Sequence, residues 1–190
     1  MVLLGLDIST SCTGWCVLDC NDPSAPKVNL GYISLQKLPT SYSKARCVAD
    51  ALQEIKNHHS VTKICIEENL QSFRTGLSSA KTLAALARFN GIVSYLSEQV
   101  FEIAPEFLNV NSARRSVGIT LVRKKDGGRP TKEQVFDWVS KEMSDTDNQY
   151  QWPVKTLKSG PRKGKTILEP GCYDMADAFV IARAGSNIEQ

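Results

Sequence analysis

The sequence predicts an α/β fold in which a mixed five-stranded sheet is flanked by helices on both faces. Three observations indicate this class. The chain opens with three closely spaced strand-like segments, helical and strand-like segments then alternate, and a long apolar helix follows near the C-terminus. The order β-β-β-α-β-α-β-α-α combines three antiparallel strands with later parallel strands joined by crossovers.

The first three strands are predicted from their apolar patterns. The run "VLLGLD" is nearly continuous and has the length of a strand, and "GWCVLDC" follows it after a Ser/Thr/Gly turn. This pattern is typical of a β-hairpin. The segment "VNLGYISLQK" alternates between apolar and polar residues and predicts the third strand.

Helices and strands alternate in the next part of the chain. Residues 42–58 have the helical period, "VTKICIEE" reads as a short buried strand, and residues 78–99 form a longer helix. The segment "VFEIAP" is predicted to be a fifth strand, which Pro105 stops.

The remaining pattern is weaker until the last helix. "NSARRSVGI" predicts a short helix capped by Asn111 or Ser112, and residues 131–143 predict another helix. We expect residues 144–169 to form a loop that orders on binding, and the terminal helix to start after Pro170 and Gly171. We interpret residues 1–190 as one domain with a basic, loop-rich region at about residues 121–168.

Composition favours a soluble globular protein. Of 190 residues, 42% are apolar and 23% are charged, which suffices for one core. No run approaches the ~20 apolar residues of a membrane span, and the first residues lack a signal-peptide pattern. We expect an intracellular, cytoplasmic protein of a bacterial or phage-infected cell, with an organelle as an open alternative. Its six cysteines are scattered and lack C-x₂-C pairs, which favours reduced thiols over zinc ligands.

Positive charge is concentrated in one part of the chain. The net charge is +3, but residues 109–169 hold 13 Lys/Arg against 7 Asp/Glu, clustered in "RKKDGGRPTK" and "KTLKSGPRKGK". Such clusters indicate a polyanionic partner. The alternative is a pair of ordinary solvated loops.

Four acids stand out against apolar surroundings. Asp7 ends the first strand, and Glu67 ends the fourth strand beside Glu68, which strand alternation sends to the other face. Asp174 and Asp177 are three residues apart and share one face of the apolar terminal helix. If the first and fourth strands are neighbours, these acids converge at one end of the sheet.

Converging carboxylates repel each other unless a cation lies between them. Mg²⁺ and Mn²⁺ prefer carboxylate oxygens, and two such ions roughly 4 Å apart commonly promote attack of water on a phosphodiester. A simpler alternative is that Asp174 only favours its helix terminus and Asp177 is solvated.

Three segments in order, "LLGLDISTSCTGW", "ICIEENL" and "CYDMADAFVIARAG", resemble the RuvC-like Holliday junction resolvases of the RNase H-like superfamily. The resemblance implies an RNase H-like fold and a crossover junction endodeoxyribonuclease that makes symmetric paired nicks in four-way DNA. It also implies catalytic, metal-binding roles for Asp7, Glu67, Asp174 and Asp177. We expect two Mg²⁺ ions, which Mn²⁺ can replace, one activating water and the other stabilising the leaving 3′-oxygen. Residues 121–168 match the family poorly.

DNA contacts are expected on both sides of these acids. Phe73 either stacks on bases at the junction, as the resemblance implies, or packs under the next helix, and Arg74 and Lys81 would face the same DNA. Phosphate contacts are predicted for Arg114, Arg115, Lys124, Lys125, Arg129, Lys132, Lys163 and Lys165.

The helix at residues 78–99 carries small residues that permit close helix packing, Ala84, Ala85, Ala87 and Gly91. The resemblance implies a homodimer formed through this helix, with two active sites on one junction. Ordinary packing on the sheet is the alternative.

Three other functions stay open at this point. The first is an RNA–DNA hybrid nuclease of the same superfamily. The second is a single-domain nucleotide-binding protein of the phosphotransferase type, and the third is a module that recognises junctions without cutting them. We expect no membrane partner and no small-molecule cofactor.

Overall fold

The computed structural model describes residues 1–68, 80–144 and 150–187. A five-stranded sheet has the order β3-β2-β1-β4-β5. β1, β2 and β3 are antiparallel, whereas β4 runs parallel to β1 and β5 parallel to β4. The predicted mixed sheet is therefore confirmed. Its strands are β1 (Val2–Ile8), β2 (Cys12–Asp19), β3 (Lys27–Ser34), β4 (Lys63–Glu67) and β5 (Glu106–Leu108).

Helices cover both faces of this sheet. Four longer helices were predicted, at residues 42–58, 78–99 and 131–143 and at the C-terminus. In their described parts, all four are helical within a few residues of these limits. The helices are α1 (Ser41–His58), α2 (Ala80–Phe101), α3 (Val110–Ser116), α4 (Thr131–Ser144) and α5 (Gly171–Asn187).

Strand alternation divides the core into two layers. One side chain set, including Leu3, Cys16 and Cys65, packs against α5, which α3 and α4 flank. The opposite set, including Leu4 and Ile64, packs against α1 and α2. Because alternate residues of β1 and β4 enter different layers, both strands are apolar along nearly their whole length.

The predicted fifth strand at "VFEIAP" was wrong. α2 continues to Phe101, which is buried, and Glu102 leaves the helix with a φ of 60°. The edge strand β5 comes only after Pro105. A short apolar run fits a helix end as well as a strand, and here packing of Phe101 in the α1/α2 layer favours the helix.

Two later predictions are also corrected. The N-cap of α3 is Asn109, whose side chain accepts hydrogen bonds from the backbone N–H groups of Asn111 and Ser112. Within residues 144–169, predicted to be a loop, β6 (Val154–Thr156) and β7 (Thr166–Leu168) form an antiparallel hairpin. These strands have three residues each, too few for an alternating pattern to be recognised.

In the described part of the chain, no helix is both long and apolar enough to cross a bilayer. No disulfide joins the six cysteines, all of which lie in that part, and four of them are buried. The prediction of thiols that are not paired with each other is confirmed.

Candidate active site

The sheet brings Asp7 and Glu67 together. β1 and β4 are parallel neighbours, and Leu6 lies beside Ile66 in their register. The next residue of each strand is therefore an acid at the same carboxyl end, Asp7 on β1 and Glu67 on β4. The condition stated for the convergence of these acids, that the first and fourth strands are neighbours, is therefore met.

Helix α5 brings the two aspartates to the same end of the sheet. Asp7 pairs with Gly14 across β1 and β2, and a Cβ at Gly14 would overlap the backbone carbonyl of Asp174. The missing side chain lets the first turn of α5 lie directly on β2. Asp174 and, one turn later, Asp177 then face the ends of β1 and β4.

The pKa values show that the four acids share one electrostatic environment. Burial raises the pKa of Asp7 well above its usual range, and the charges of Glu67, Asp177 and Asp174 raise it further. Burial and then the charge of Asp177 raise the pKa of Glu67 to about 7. Burial also raises the pKa values of Asp174 and Asp177. The cluster therefore favours bound protons or another source of positive charge.

One such positive charge is supplied by α3. Nη2 of Arg114 donates a hydrogen bond to Oδ1 of Asp177 at 2.9 Å, and both side chains are largely buried. The guanidinium lowers the pKa of Asp177, Glu67 and Asp7 against the larger effect of burial. Arg114 was predicted to contact phosphate, but its partner in the structure is a carboxylate.

A cysteine also contacts the cluster. The Cys12 thiol donates a hydrogen bond to the Asp174 carboxylate, which lowers the pKa of Asp174 against the effect of burial. Burial and the nearby Asp174 raise the pKa of Cys12, so the thiol is a neutral donor rather than a thiolate ligand. Sequence reasoning missed this residue, because no motif marks it.

The donor set fits a hard cation. Asp7, Glu67, Asp174 and Asp177 offer only carboxylate oxygens, which suit Mg²⁺ and Mn²⁺. Within residues 1–68, 80–144 and 150–187, however, no three His, Cys, Asp or Glu side chains are already arranged around one metal position. The acids come from three elements, and one of them is engaged by Arg114.

The acids lie beside a long cleft with a volume of about 1000 Å³. Asp174, Asp177 and Cys12 line it together with residues of β3, α4 and the β6–β7 hairpin. Four of its lining side chains are basic, Lys37, Lys132, Lys155 and Arg162. The ammonium group of Lys132 lies 4.7 Å from the centre of the Tyr173 ring, which holds it near Asp174.

Only one of these four basic residues, Lys132, was predicted individually. Lys155 and Arg162 belong to a basic segment that the sequence singled out, but the residues named there were Lys163 and Lys165, which do not line the cleft. No sequence signal marked Lys37. Which basic residues of this segment line the cleft depends on which side of the β6–β7 hairpin faces the acids.

The other predicted DNA contacts lie away from the acids or outside the described residues. Phe73 and Arg74 lie outside them. Arg129 forms an ion pair with Asp137 on α4. The remaining predicted cations are exposed and do not line the cleft, Lys81, Arg115, Lys124, Lys125, Lys163 and Lys165. Glu68 is partly exposed, and its backbone N–H donates to Leu108.

Comparison with known proteins gives a clear result only for the fold. No family model and no curated protein sequence matches the chain. Among solved structures, Thermus thermophilus RuvC in complex with a Holliday junction substrate superposes with a TM-score of 0.63, at 10% identity over 100% of this chain and 94% of that one.

One yeast structure and one viral structure are also similar. The yeast mitochondrial Holliday junction resolvase Ydc2 gives a TM-score of 0.56 at 17% identity, over 98% of this chain and 80% of that one. The fowlpox virus resolvase with junction DNA gives 0.52 at 12% identity, over 98% of both chains. The chain therefore has the RNase H-like fold of the RuvC-like resolvases, and the predicted resemblance is confirmed at the level of the fold.

Proposed function

We propose that this protein is a metal-dependent, structure-specific endonuclease that resolves four-way DNA junctions by paired nicks. The observation that carries the proposal is the convergence of Asp7, Glu67, Asp174 and Asp177, of which Asp174 and Asp177 line a cleft with four basic side chains. Similar solved structures include resolvases bound to Holliday junctions, which supports the same substrate here.

The four carboxylates would hold two Mg²⁺ or Mn²⁺ ions. When bound, such ions activate a water molecule and stabilise the leaving oxygen of a phosphodiester. The protein supplies the positioning. Gly14 fixes α5 against β2, and the Cys12 thiol restrains the Asp174 carboxylate.

The basic side chains of the cleft would bind the DNA backbone. Lys37, Lys132 and Arg162 can each contact a phosphate, and Lys155 can do so in exchange for its ion pair with Glu169. Such contacts orient the strand without reading its sequence. Binding should weaken steeply as the salt concentration rises, because each phosphate contact releases counterions. With such a substrate, we propose that the protein acts in a DNA-containing intracellular compartment.

We also propose that two copies act together through α1 and α2. These helices enclose an apolar groove of about 590 Å³, at which Tyr42 and Tyr95 are 75% and 59% exposed. Large exposed aromatic side chains favour an interface, and a two-fold dimer would match the symmetry of a four-way junction.

The first experiment compares three substrates, each with Mg²⁺, Mn²⁺ or EDTA. We expect paired nicks in a labelled four-way junction, none in a linear duplex of the same sequence, and none in EDTA. Cleavage of an RNA–DNA hybrid instead would retain the metal site but replace the substrate. No cleavage of any substrate would reject the nuclease and favour a recognition module or a nucleotide-binding protein.

The same assay tests the acids through Asp174→Asn. Asn has the same shape and removes one of the repelling charges, so we expect normal folding and junction binding. Cleavage should fall by more than about 100-fold, since even indirect support of a metal ligand is worth about 10–100-fold. Asp50→Asn, at an exposed position of α1, is the matched control. Full cleavage by Asp174→Asn would contradict the site.

A further inference from the structure

Arg114 lies next to the acid cluster and neutralises part of its negative charge in the DNA-free protein. Its guanidinium donates to Asp177 at 2.9 Å, and the exposed fractions of the two side chains are only 14% and 16%. Ion pairs this far from solvent are screened little by salt. Asp177 thus has one oxygen committed to a protein cation.

The guanidinium is only partly satisfied by this contact. Its Nε is buried and finds no hydrogen-bond partner among the described residues. A fully structural arginine in such a position normally uses its donors, because an unpaired buried N–H is costly. An incompletely bonded guanidinium can leave its carboxylate at lower cost than one held by several bonds.

The charges of the cluster give the direction of the exchange. Without metal, bound protons and Arg114 offset the charge of the four acids; when all four are ionised to bind metal, they carry −4. Two divalent cations would carry +4, so the same acids would no longer need the guanidinium. A metal ion that binds Oδ1 of Asp177 must replace the hydrogen bond that Arg114 donates to that oxygen.

We propose that Arg114 is an exchangeable counter-ion of the acid cluster, which holds Asp177 in the free protein and releases it to a divalent metal ion. This inference rests on the proposed function, since it assumes that Asp177 is a metal ligand. Arg114 is then a positioning residue, and it competes with metal in the absence of DNA.

The test measures Mn²⁺ binding to DNA-free protein by isothermal titration calorimetry. Arg114→Met keeps the length and apolar stem of the side chain but removes the charge. We expect it to bind Mn²⁺ at least about tenfold more tightly, the scale of one charge-assisted hydrogen bond. Mn²⁺ should also raise the melting temperature of this variant more than that of the wild type.

Three further comparisons serve as controls for this measurement. Arg115→Met is the matched control, because Arg115 is the next residue of α3, is exposed, and contacts Ser112 rather than an acid. It should bind Mn²⁺ like the wild type. Arg114→Lys keeps the charge without the planar fork and should give intermediate affinity, which matters if Arg114→Met does not fold. In the Asp177→Asn background, Arg114→Met should no longer tighten binding.

Unchanged or weaker Mn²⁺ binding by Arg114→Met, or by Arg114→Lys if only that variant folds, would overturn the inference. Junction cleavage by the wild type with Mn²⁺, measured on the same preparation, separates this failure from a failure of the proposed function. If the wild type cleaves the junction but Arg114→Met does not bind Mn²⁺ more tightly, only the counter-ion role of Arg114 is rejected. Absence of wild-type cleavage rejects the nuclease, and with it the role of Arg114.

Discussion

Glu67 is an acid whose chemistry depends on its neighbours. In the folded chain its pKa rises from 4.5 to about 7, mainly through burial and next through the charge of Asp177. The Asp7 carboxyl donates a hydrogen bond to it, which limits the rise. A proton and a metal ion therefore compete for the same oxygens near neutral pH, so metal affinity should increase with pH.

The raised pKa of Glu67 has a direct effect on stability. Folding favours its protonated form, so its contribution is fully present below about pH 4.5 and is lost as pH rises to about 7. Glu67→Gln cannot ionise. In EDTA, we expect its melting temperature to exceed that of the wild type increasingly between these pH values, and by a constant amount above them. A difference of 1 kcal/mol corresponds to about 2–4 °C in a chain of this size.

The control for this pH series is Glu54→Gln, which changes an exposed acid of α1. Differential scanning fluorimetry at closely spaced pH values suffices, because only the difference from the wild type is used. A Glu67→Gln difference that is the same at pH 4.5 and pH 8 would show that Glu67 is not perturbed by the cluster.

At the residue scale, sequence could predict the acids but not their partners. Asp7 and Glu67 are visible because a charge that ends an apolar strand is unusual, and Asp174 and Asp177 because they lie on an apolar helix. The contacts of Arg114 and Cys12 depend on how α3 and β2 lie against α5. No periodicity in the sequence encodes that arrangement.

Among the elements, α5 determines the geometry of the site. It packs across β1, β2 and β3 and carries two of the four acids. Its approach depends on two glycines. A Cβ at Gly5 would overlap Ala178 and Ala182, and one at Gly14 would overlap the backbone at Asp174.

Gly14→Ala should therefore displace the start of α5. We expect a loss of about 1–3 kcal/mol in unfolding free energy, as for other overpacked positions. Junction cleavage should fall further than stability alone explains, because Asp174 moves with the helix. Urea unfolding monitored by circular dichroism, together with the cleavage assay at a temperature where the variant is folded, measures both effects.

The matched control for the stability measurement is Gly91→Ala in α2, where a Cβ would contact no other described part of the chain beyond its own helix. Gly91 lines the proposed dimer groove, so the cleavage activity of this variant is not used as a control. This change should stabilise the protein by up to about 1 kcal/mol, since alanine favours a helix interior over glycine. If Gly14→Ala were as stable and as active as the wild type, close packing of α5 on β2 would not be what positions Asp174.

Elements were predictable where the pattern was long. Helices α1 and α4 and the strands β1, β2 and β3 have enough residues for their periods to be recognised. β5, β6 and β7 have three residues each, and pairing with a neighbouring strand rather than local sequence defines them. Asn109 was missed as the cap of α3 because the helix begins two residues earlier than its polar segment suggested.

At the scale of the whole molecule, the two faces of the sheet have different surfaces. The cleft with the acids and basic side chains lies beside α4 and α5, whereas the apolar groove lies between α1 and α2 on the opposite face. A copy bound at the groove would leave the cleft open. Dimer formation and DNA binding can then occur together without competing for one surface.

This arrangement leads to a test of the proposed dimer by Tyr95→Glu. Tyr95 is 59% exposed on α2 and lines the groove with Tyr42. A two-fold interface would bury the new carboxylate twice, so we expect the dimer to weaken by at least about 30-fold, the size of an interface hot spot. Analytical ultracentrifugation at several concentrations measures the change. Junctions should then be nicked on one strand at a time.

Val154→Glu is the matched control, because Val154 is also 59% exposed but lies on the β6–β7 hairpin. It introduces the same charge away from the groove and should leave the dimer intact. A wild-type protein that is monomeric at micromolar concentration, or a Tyr95→Glu variant that remains dimeric, would contradict an interface on α2. If the dimeric Tyr95→Glu variant made paired nicks, the dimer interface would lie on another surface. If a monomeric wild-type protein made paired nicks, one cleft would have to cut both strands in succession.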